Sequence, residues 1–462
     1  MASSAAIEEA SASGAAAGVQ QAGEMAWPPR KDAYYSLVVM TVVVMFTVID
    51  RQILNIMIDP MKQDFSISDT QAALLLGAAF SITYGIAGLP IARFADRTNR
   101  RNLVAASLAF WSACTTACGL AQSYAAMFAA RLGIGIGESG YGPAAWSIAT
   151  DNFPREKVAM ATGTYGIGAM VGIGLASFMG GAVLAFVEGM PEVPLPFGGV
   201  IRPWQWAFFV VGVPGLLWTI VVLSTKEPPR RGIAKGQKPP KKPIGEIVTW
   251  LKNDWRTYVA VIGGAGMKQL VAAGQSVWGI TFFHREFGWA LSKAGMLMGL
   301  VTIIASPVAM ILGGKLSEHM ARSGRSDANL RIVVYGLLGS VPVLALAPQM
   351  PNGYLSLAMF GIGIFIGTLG FGPGIAAFQV ITPNPMRAQV SALSQFSSNV
   401  LAFALAPLIV ALFTDYLFKD PAALKHSITL STVTMGILAL FIAIQGLKPY
   451  ARAYERAVRE DF

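Results

Sequence analysis

Residues 131–143 read R-L-G-I-G-I-G-E-S-G-Y-G-P and place a guanidinium and a carboxylate inside an apolar segment that is long enough to cross a bilayer. Arg131 and Glu138 are two helical turns apart, so they share a helix face and lie about 10 Å apart along the axis. An ionised side chain costs about 2.5 to 3.5 kcal/mol at the centre of a membrane helix, so this face should turn to a water-filled cavity or a partner. The many glycines of the stretch let neighbouring helices approach closely. The sequence therefore predicts a membrane-spanning helix beside a polar path.

The composition extends this prediction to the whole chain of 462 residues. Hydrophobic residues make up 54% of the sequence and charged residues only 13%, which is too little charge to cover a water-soluble protein of this size. A bilayer crossing needs about 20 apolar residues, and twelve segments, numbered here as spans 1 to 12, fit that requirement. They lie near residues 34–57, 71–94, 103–121, 125–147, 159–186, 206–223, 258–283, 293–312, 332–347, 355–377, 390–417 and 427–446. The predicted fold class is an all-α membrane protein with twelve transmembrane helices.

Lysine and arginine are distributed unevenly over the predicted loops. They concentrate on one side, above all at Arg97, Arg100 and Arg101 and in residues 226–242. Because such residues are retained in the cytoplasm, we expect both termini to be cytoplasmic and the protein to lie in the cell (inner) membrane. The net charge of +10 then reflects topology and attraction to anionic lipid headgroups, and we expect no nucleic-acid partner.

The chain divides into two similar halves. Residues 140–143 (G-Y-G-P) in span 4 recur as residues 370–373 (G-F-G-P) in span 10. Parallel repeats of this kind are typical of transporters built from two six-helix halves. The predicted parts are a disordered cytoplasmic tail at 1–33, an N-terminal six-helix half at 34–224, a cytoplasmic linker with an amphipathic helix at 225–257, a C-terminal six-helix half at 258–448 and a cytoplasmic tail at 449–462.

Five ionisable side chains fall within the predicted spans near mid-membrane: Asp50, Arg51, Arg131, Glu138 and Lys268. Ionisable groups inside a membrane usually mark substrate or proton paths, so we expect these five to serve substrate binding and proton coupling. The alternative is that they bond neighbouring helices and only fix packing. In the second half, the positions that match the charges of span 4 are uncharged, so the repeat does not extend to them.

The loop between spans 2 and 3 reads A-R-F-A-D-R-T-N-R-R over residues 92–101. Its charges should lie where the two halves meet, and the carboxylate of Asp96 can there cap the N-terminus of the helix that begins near Arg387. We therefore expect Asp96, Arg97, Arg100 and Arg101 to form a conformational latch.

The same loop resembles the signature G-x-L-a-D-R-x-G-R-R of the major facilitator superfamily, with Ala92 and Asn99 at two of its glycine positions. Together with D-R at 50–51 in span 1 and G-E-S-G-Y at 137–141 in span 4, it resembles the Spinster family of that superfamily. The resemblance implies the major facilitator fold and the export or exchange of sphingolipids or lysolipids. It also implies a set of residues near the substrate that are linked to proton coupling, which in this sequence are Asp50, Arg51, Arg131 and Glu138.

No nucleotide-binding loop is found in the sequence, which predicts a secondary transporter rather than an ATP-driven pump. We expect two halves that rock about a central site, coupled to protons, and a lipid-like or anionic amphiphile as the substrate. A proton-coupled transporter of small polar solutes or drugs is the alternative, and a sensor or scaffold with a transporter fold is another. An enzyme is not expected, because His284, His319 and His426 lie outside the predicted core. We expect a monomer with no cofactor and no metal, whose partners are a small-molecule or lipid substrate, protons and membrane lipids.

Overall fold

The structure, a computed structural model, describes residues 27–95, 98–153, 155–187, 189–196, 199–229 and 244–460. The described part of the chain is almost entirely helical, in agreement with the all-α class predicted from composition. Most of the predicted N-terminal tail, Asp96 and Arg97 of the expected latch, and the centre of the linker lie outside the described residues.

Twelve long helical stretches can be followed in the described residues, and each corresponds to one predicted span. In order, they are Arg30–Ile56, 69–95, Arg100–Cys118, 124–151, Arg155–Val187, Pro203–Ser224, 255–287, Leu291–Arg322, Ala328–Gln349, Gly353–Val380, 384–418 and Leu424–Arg459. Eight of them are long and apolar enough to cross a membrane by length and composition, and Val171–Val187 of span 5 is a shorter apolar helix. Span 4 is divided into two helices of 15 and 11 residues, Tyr124–Glu138 and Tyr141–Asp151, each shorter than a bilayer crossing.

Shorter elements connect the spans. The helix Ile58–Phe65 follows span 1, a two-stranded hairpin pairs Val193–Pro194 with Val200–Ile201 after span 5, and a linker helix, Ile244–Asn253, precedes span 7. A 3₁₀ turn, Pro421–Ala423, precedes span 12. The linker helix falls where the sequence predicts an amphipathic helix.

Several spans are not regular α-helices along their whole length. Span 2 contains a π-helical turn at Leu74–Ala78, span 7 one at Val259–Gly263, and span 11 two, at Val400–Leu405 and Phe413–Phe418. Span 4 breaks between Glu138 and Tyr141, and span 10 breaks at Gly370. The two breaks fall on the repeated G-x-G-P motif, so the internal repeat is structural as well as sequential.

The last helix differs from the predicted boundary. The residues assigned to a C-terminal tail at 449–462 are helical as far as Arg459. Their sequence places Tyr450, Ala453 and Ala457 on one buried face, and Asn329 at the start of span 9 donates a 3.5 Å hydrogen bond to the Tyr450 hydroxyl. This periodicity of small and aromatic residues continues the helix beyond the apolar run, so the predicted tail at 449–462 begins inside a helix.

The two halves meet along two seams, span 5 against span 8 and span 2 against span 11. Glycine brings the backbones into contact in both. A Cβ at Gly299 of span 8 would lie 2.4 Å from the backbone nitrogen of Phe178 in span 5. A Cβ at Gly77 of span 2 would lie 1.7 Å from the carbonyl oxygen of Phe403 in span 11. Small residues at helix interfaces permit this close approach in membrane proteins, where apolar surface alone does not drive helices together.

Ion pairs join the halves at one end of the bundle, called here the gate end. Arg285, which follows the apolar part of span 7, lies 2.6 Å from Asp59 and 2.9 Å from Asp69. Thr70 donates from its backbone nitrogen and its hydroxyl to Asp415 of span 11, each at 2.7 Å. These contacts join residues 59–70 of the N-terminal half to Arg285 and Asp415 of the C-terminal half. The distribution of basic residues predicts that the gate end is the outer end and that the opposite end, called here the linker end, faces the cytoplasm.

Gly299→Ala is expected to destabilise the bundle, because the added Cβ meets the backbone of Phe178 and no side chain can move aside. Overpacking of this kind costs about 1 to 3 kcal/mol. Thermal unfolding of the purified protein in detergent measures the effect. Gly314→Ala is the matched control, since Gly314 lies on the same helix and a Cβ there meets nothing within 4 Å. Equal unfolding temperatures for the two variants would contradict the direct backbone contact.

Candidate functional site

An ion pair between spans 1 and 4 lies at the centre of the N-terminal half. Arg51 donates to Oε2 of Glu138 from Nη2 at 2.5 Å and from Nε at 3.2 Å. The side chain of Glu138 is fully buried, whereas that of Arg51 is 23% exposed. Glu138 is the last residue of its helical segment, directly before the break in span 4, and its Oε1 has no hydrogen-bond partner among the described residues.

Two aromatic rings lie against the guanidinium of Arg51. The Cζ atom is 4.3 Å from the ring centre of Phe80 in span 2 and 4.8 Å from that of Phe403 in span 11. Each cation–π contact contributes about 0.5 to 2 kcal/mol, more where water is excluded. Because Phe403 belongs to the C-terminal half, the ion pair of the N-terminal half is in direct contact with the other half.

The second carboxylate, Asp50, points away from this pair because neighbours on a helix are about 100° apart. It is buried against span 3, where its carboxylate lies near the side chains of Trp111 and Thr115. The charges of Glu138 and Arg131 also act on it electrostatically. Its Oδ1 has no well-formed hydrogen bond among the described residues, and the same holds for the Trp111 and Thr115 side chains. Polar atoms buried together in this way are available to water or to a polar part of a substrate.

Arg131 is buried and turns toward span 2. Its Nε lies 3.4 Å from the carbonyl oxygen of Leu75 and its Nη2 lies 3.5 Å from that of Leu76, both in the π-helical turn. The remaining nitrogen, Nη1, has no partner among the described residues. Arg131 and Glu138 are both buried, but the carboxylate is paired with Arg51 and not with Arg131.

Lys268 belongs to the other half and lies apart from this cluster. Its Nζ would be 3.3 Å from a Cβ at Gly370, so the amine lies beside the break in span 10. No hydrogen bond or ion pair joins Lys268 to another described residue. Four of the five predicted residues therefore form one cluster between spans 1 and 4, and the fifth is a separate cation across the bundle.

The described members of the expected latch bind within their own half. Arg100 donates to Ser147 at 2.6 Å and to Glu227 at 2.7 Å, and it also pairs with Asp151 at the end of span 4. The backbone nitrogen of Arg101 donates to Glu227 at 2.8 Å. These contacts fasten the start of span 3 to the end of span 4 and to the beginning of the linker.

Sequence reasoning did not single out Phe80, Phe403, Trp111 or Thr115 as site residues. Aromatic and small hydroxyl side chains are common in membrane helices, where they usually pack or bond a neighbouring helix. The sequence indicates only that a buried guanidinium requires favourable contacts. It does not identify the aromatic residues that provide them.

Comparison with known proteins gives one family and several related transporters. The Major Facilitator Superfamily profile matches residues 40–407. An MFS-type efflux pump of Mycolicibacterium smegmatis is 28% identical over 86% of this chain and 87% of its own. A D-galactonate transporter of Escherichia coli is 25% identical over 76% and 84%, and mouse protein spinster homolog 1 is 25% identical over 83% and 73%. A crystal structure of a bacterial homologue of the human lysosomal transporter Spinster, inward-facing and unoccupied, aligns with a TM-score of 0.76 at 24% identity, over 94% of this chain and 99% of that one.

Arg51→Met is expected to destabilise the protein, because it leaves the buried Glu138 without its counter-ion. Removing one partner of a buried pair costs about 3 to 5 kcal/mol, whereas replacing both partners is far less costly. The double variant Arg51→Met, Glu138→Gln should therefore unfold at a higher temperature than Arg51→Met alone. Thermal unfolding in detergent of the wild type, both single variants and the double variant measures the coupling between the two residues. Additive losses would contradict a direct ion pair.

Proposed function

This chain belongs to the Major Facilitator Superfamily, and on that basis we propose that it is a proton-coupled secondary transporter of a lipid-like or anionic amphiphile that works by rocker-switch alternating access. It is a multi-pass membrane transporter and not an enzyme. The observation that carries the proposal is the buried Arg51–Glu138 pair beside Asp50 and Arg131. Ionisable side chains inside a membrane protein cost free energy, and they usually mark the path of a proton or a substrate.

Alternating access is supported by the arrangement of the halves. They touch along two glycine-lined seams and are joined by ion pairs at the gate end. Rocking of two rigid halves about a central site would break the gate ion pairs and form new contacts at the linker end. There the loop of Asp96, Arg97, Arg100 and Arg101 would act as the latch. If the gate end is the outer end, this conformation is inward-facing and both termini are cytoplasmic. The proposal also places the protein in the inner membrane, as a monomer.

Proton coupling is supported by the two carboxylates. Glu138 is hydrogen-bonded to the guanidinium of Arg51, so protonation of Glu138 would free that arginine to bind elsewhere. Asp50 is a second buried acid in the same cluster. Three of the five buried charges are basic, and protonation of the acids makes the interior still more positive. A proton that enters the site would therefore strengthen the attraction for an anion.

The substrate class is supported by Lys268 and by the relatives. An amine without a carboxylate partner in the described structure is a suitable contact for the acidic group of an amphiphile. The resemblance of the motifs at 50–51, 92–101 and 137–141 to the Spinster family implies a sphingolipid or a lysolipid, and a Spinster homologue is among the relatives. The second candidate is a proton-coupled transporter of small polar solutes or drugs, which the similarity to a D-galactonate transporter and to an efflux pump favours. Both candidates use the same buried charges, so they differ only in what fills the space between the halves.

A flux assay distinguishes the two candidates. Purified protein in liposomes is expected to move a labelled anionic lysolipid down a proton gradient faster than a labelled sugar acid or a cationic dye. Protein-free liposomes correct for spontaneous lipid movement, and Lys268→Gln tests the contact with the anionic group. Faster flux of the sugar acid or the dye would favour the second candidate, and no flux of any probe would favour a sensor or scaffold.

Glu138→Gln and Asp50→Asn are expected to abolish the dependence of transport on pH, and Arg131→Ala is expected to weaken substrate binding as well. Initial rates at a series of external pH values measure the first effect, and the substrate concentration at half-maximal rate measures the second. Glu192→Gln, an exposed carboxylate beside the hairpin, is the control and should leave both unchanged. If the residues only hold spans 1 and 4 together, activity will fall in step with thermal stability. If Glu138→Gln and Asp50→Asn are stable and their transport rates keep the full dependence on pH, the coupling proposal is wrong.

A further inference from the structure

The aromatic ring of Phe403, in the C-terminal half, contacts the buried charge cluster of the N-terminal half. Its centre is 4.8 Å from Cζ of Arg51, and its ring meets that of Phe80 edge-on, with 6.3 Å between centres. The backbone of the same residue is also in contact, since a Cβ at Gly77 would lie 1.7 Å from the Phe403 carbonyl oxygen. Side chain and backbone of one residue thus touch span 2 and the ion pair together.

The helices on both sides of this contact are irregular. Gly77 lies in the π-helical turn Leu74–Ala78, and Phe403 lies in the π-helical turn Val400–Leu405. Turns of this kind are rare and occur frequently at functional sites. The turn in span 2 also faces Arg131, whose guanidinium points to the carbonyls of Leu75 and Leu76. One wide turn of span 2 therefore lies between the buried charges on one side and the other half of the protein on the other.

We propose that Phe403 is the positioning residue through which the charge state of Glu138 acts on the C-terminal half. This inference rests on the proposed proton coupling. While Glu138 is ionised, its hydrogen bonds hold the Arg51 guanidinium between the rings of Phe80 and Phe403. When Glu138 takes up a proton, the attraction weakens and the guanidinium can turn away from the ring of Phe403. The contact across the seam of spans 2 and 11 is then lost.

The other titratable and charged groups around this pair come from several spans. They are Asp50 of span 1, Tyr84 of span 2, Cys118 of span 3, and Arg131 and Tyr141 of span 4. All of them belong to the N-terminal half and move with the pair. The contact with Phe403 differs from them because rocking of the halves can change it.

Whether a contact lies within one half or between the halves decides whether it can favour one conformation over the other. Only an interaction that differs between two conformations shifts their populations. Phe80 belongs to the same half as Arg51, so rocking of the halves does not separate them and the ring of Phe80 is not expected to favour either conformation. Loss of the Phe403 contact is expected to change the ratio of conformations about 2- to 30-fold, the range that corresponds to one cation–π contact.

The test compares Phe403→Leu, which keeps apolar bulk without an aromatic face, with Phe403→Tyr, which keeps the face, and with Phe80→Leu. Distances between spin labels at Gln63→Cys and Ala422→Cys, exposed positions of opposite halves at the gate end, report the conformation. The two native cysteines are replaced by serine beforehand. Distance distributions of the full chain in lipid nanodiscs are measured from mildly acidic to mildly alkaline pH, together with thermal stability.

We expect the wild type, Phe403→Tyr and Phe80→Leu to change their distance distributions with pH, and Phe403→Leu to lose most of this change while it stays folded. A full response to pH in Phe403→Leu would overturn the inference and leave proton coupling intact. So would an equal loss in Phe80→Leu, which is the result expected if both rings only pack. A wild type with no response to pH would instead overturn the proposed coupling, and the inference with it.

Discussion

The ion pair between Arg51 and Glu138 is held inside the bundle with its carboxylate fully buried, and the surrounding structure compensates in part for that burial. Withdrawing each charge from water costs several kcal/mol, which the attraction between the two repays only with good geometry and further hydrogen bonds. Here Arg51 donates twice to one carboxylate oxygen and stacks on two rings. The other oxygen of Glu138 has no partner among the described residues, so the pair is stable but incompletely bonded. A pair of this kind can exchange partners, as a fully bonded one cannot.

Much of the fold follows from the sequence because its causes are local or periodic. Apolar length predicts the twelve spans, and the repeated G-x-G-P motif predicts two similar halves. The Spinster resemblance, which rests on three short motifs, is confirmed by the related proteins at the level of the superfamily and its fold. Spacing within one helix also predicts that Arg131 and Glu138 are buried together. The helix of span 12 continues to Arg459, beyond the predicted span, because Tyr450 and its neighbours bury a face without a long apolar run.

The contacts between different helices could not be predicted from the sequence. The partner of Glu138 is on another span, and periodicity within a helix does not say how two helices are rotated against each other. The same limit applies to Phe403, which is separated from Arg51 by most of the chain and reads as an ordinary apolar residue. The π-helical turns at Leu74–Ala78 and Val400–Leu405 rotate the helix faces after them, so even a correct helical wheel would misplace those residues.

The two breaks at the repeated motif explain why one buried charge has a counter-ion and the other does not. A helix carries partial negative charge at its C-terminus, so a carboxylate in the last turn is disfavoured and a cation is favoured, by about 0.3 to 1 kcal/mol when exposed and up to about 2 kcal/mol when partly buried. Glu138 ends its helical segment and therefore depends on Arg51. Lys268 lies beside Gly370, where the segment Gly353–Leu369 ends, and the partial negative charge of a helix C-terminus favours a cation at that place. The same break in the repeat thus lies next to a paired acid in one half and, in the other half, next to a cation that has no ion-pair partner among the described residues.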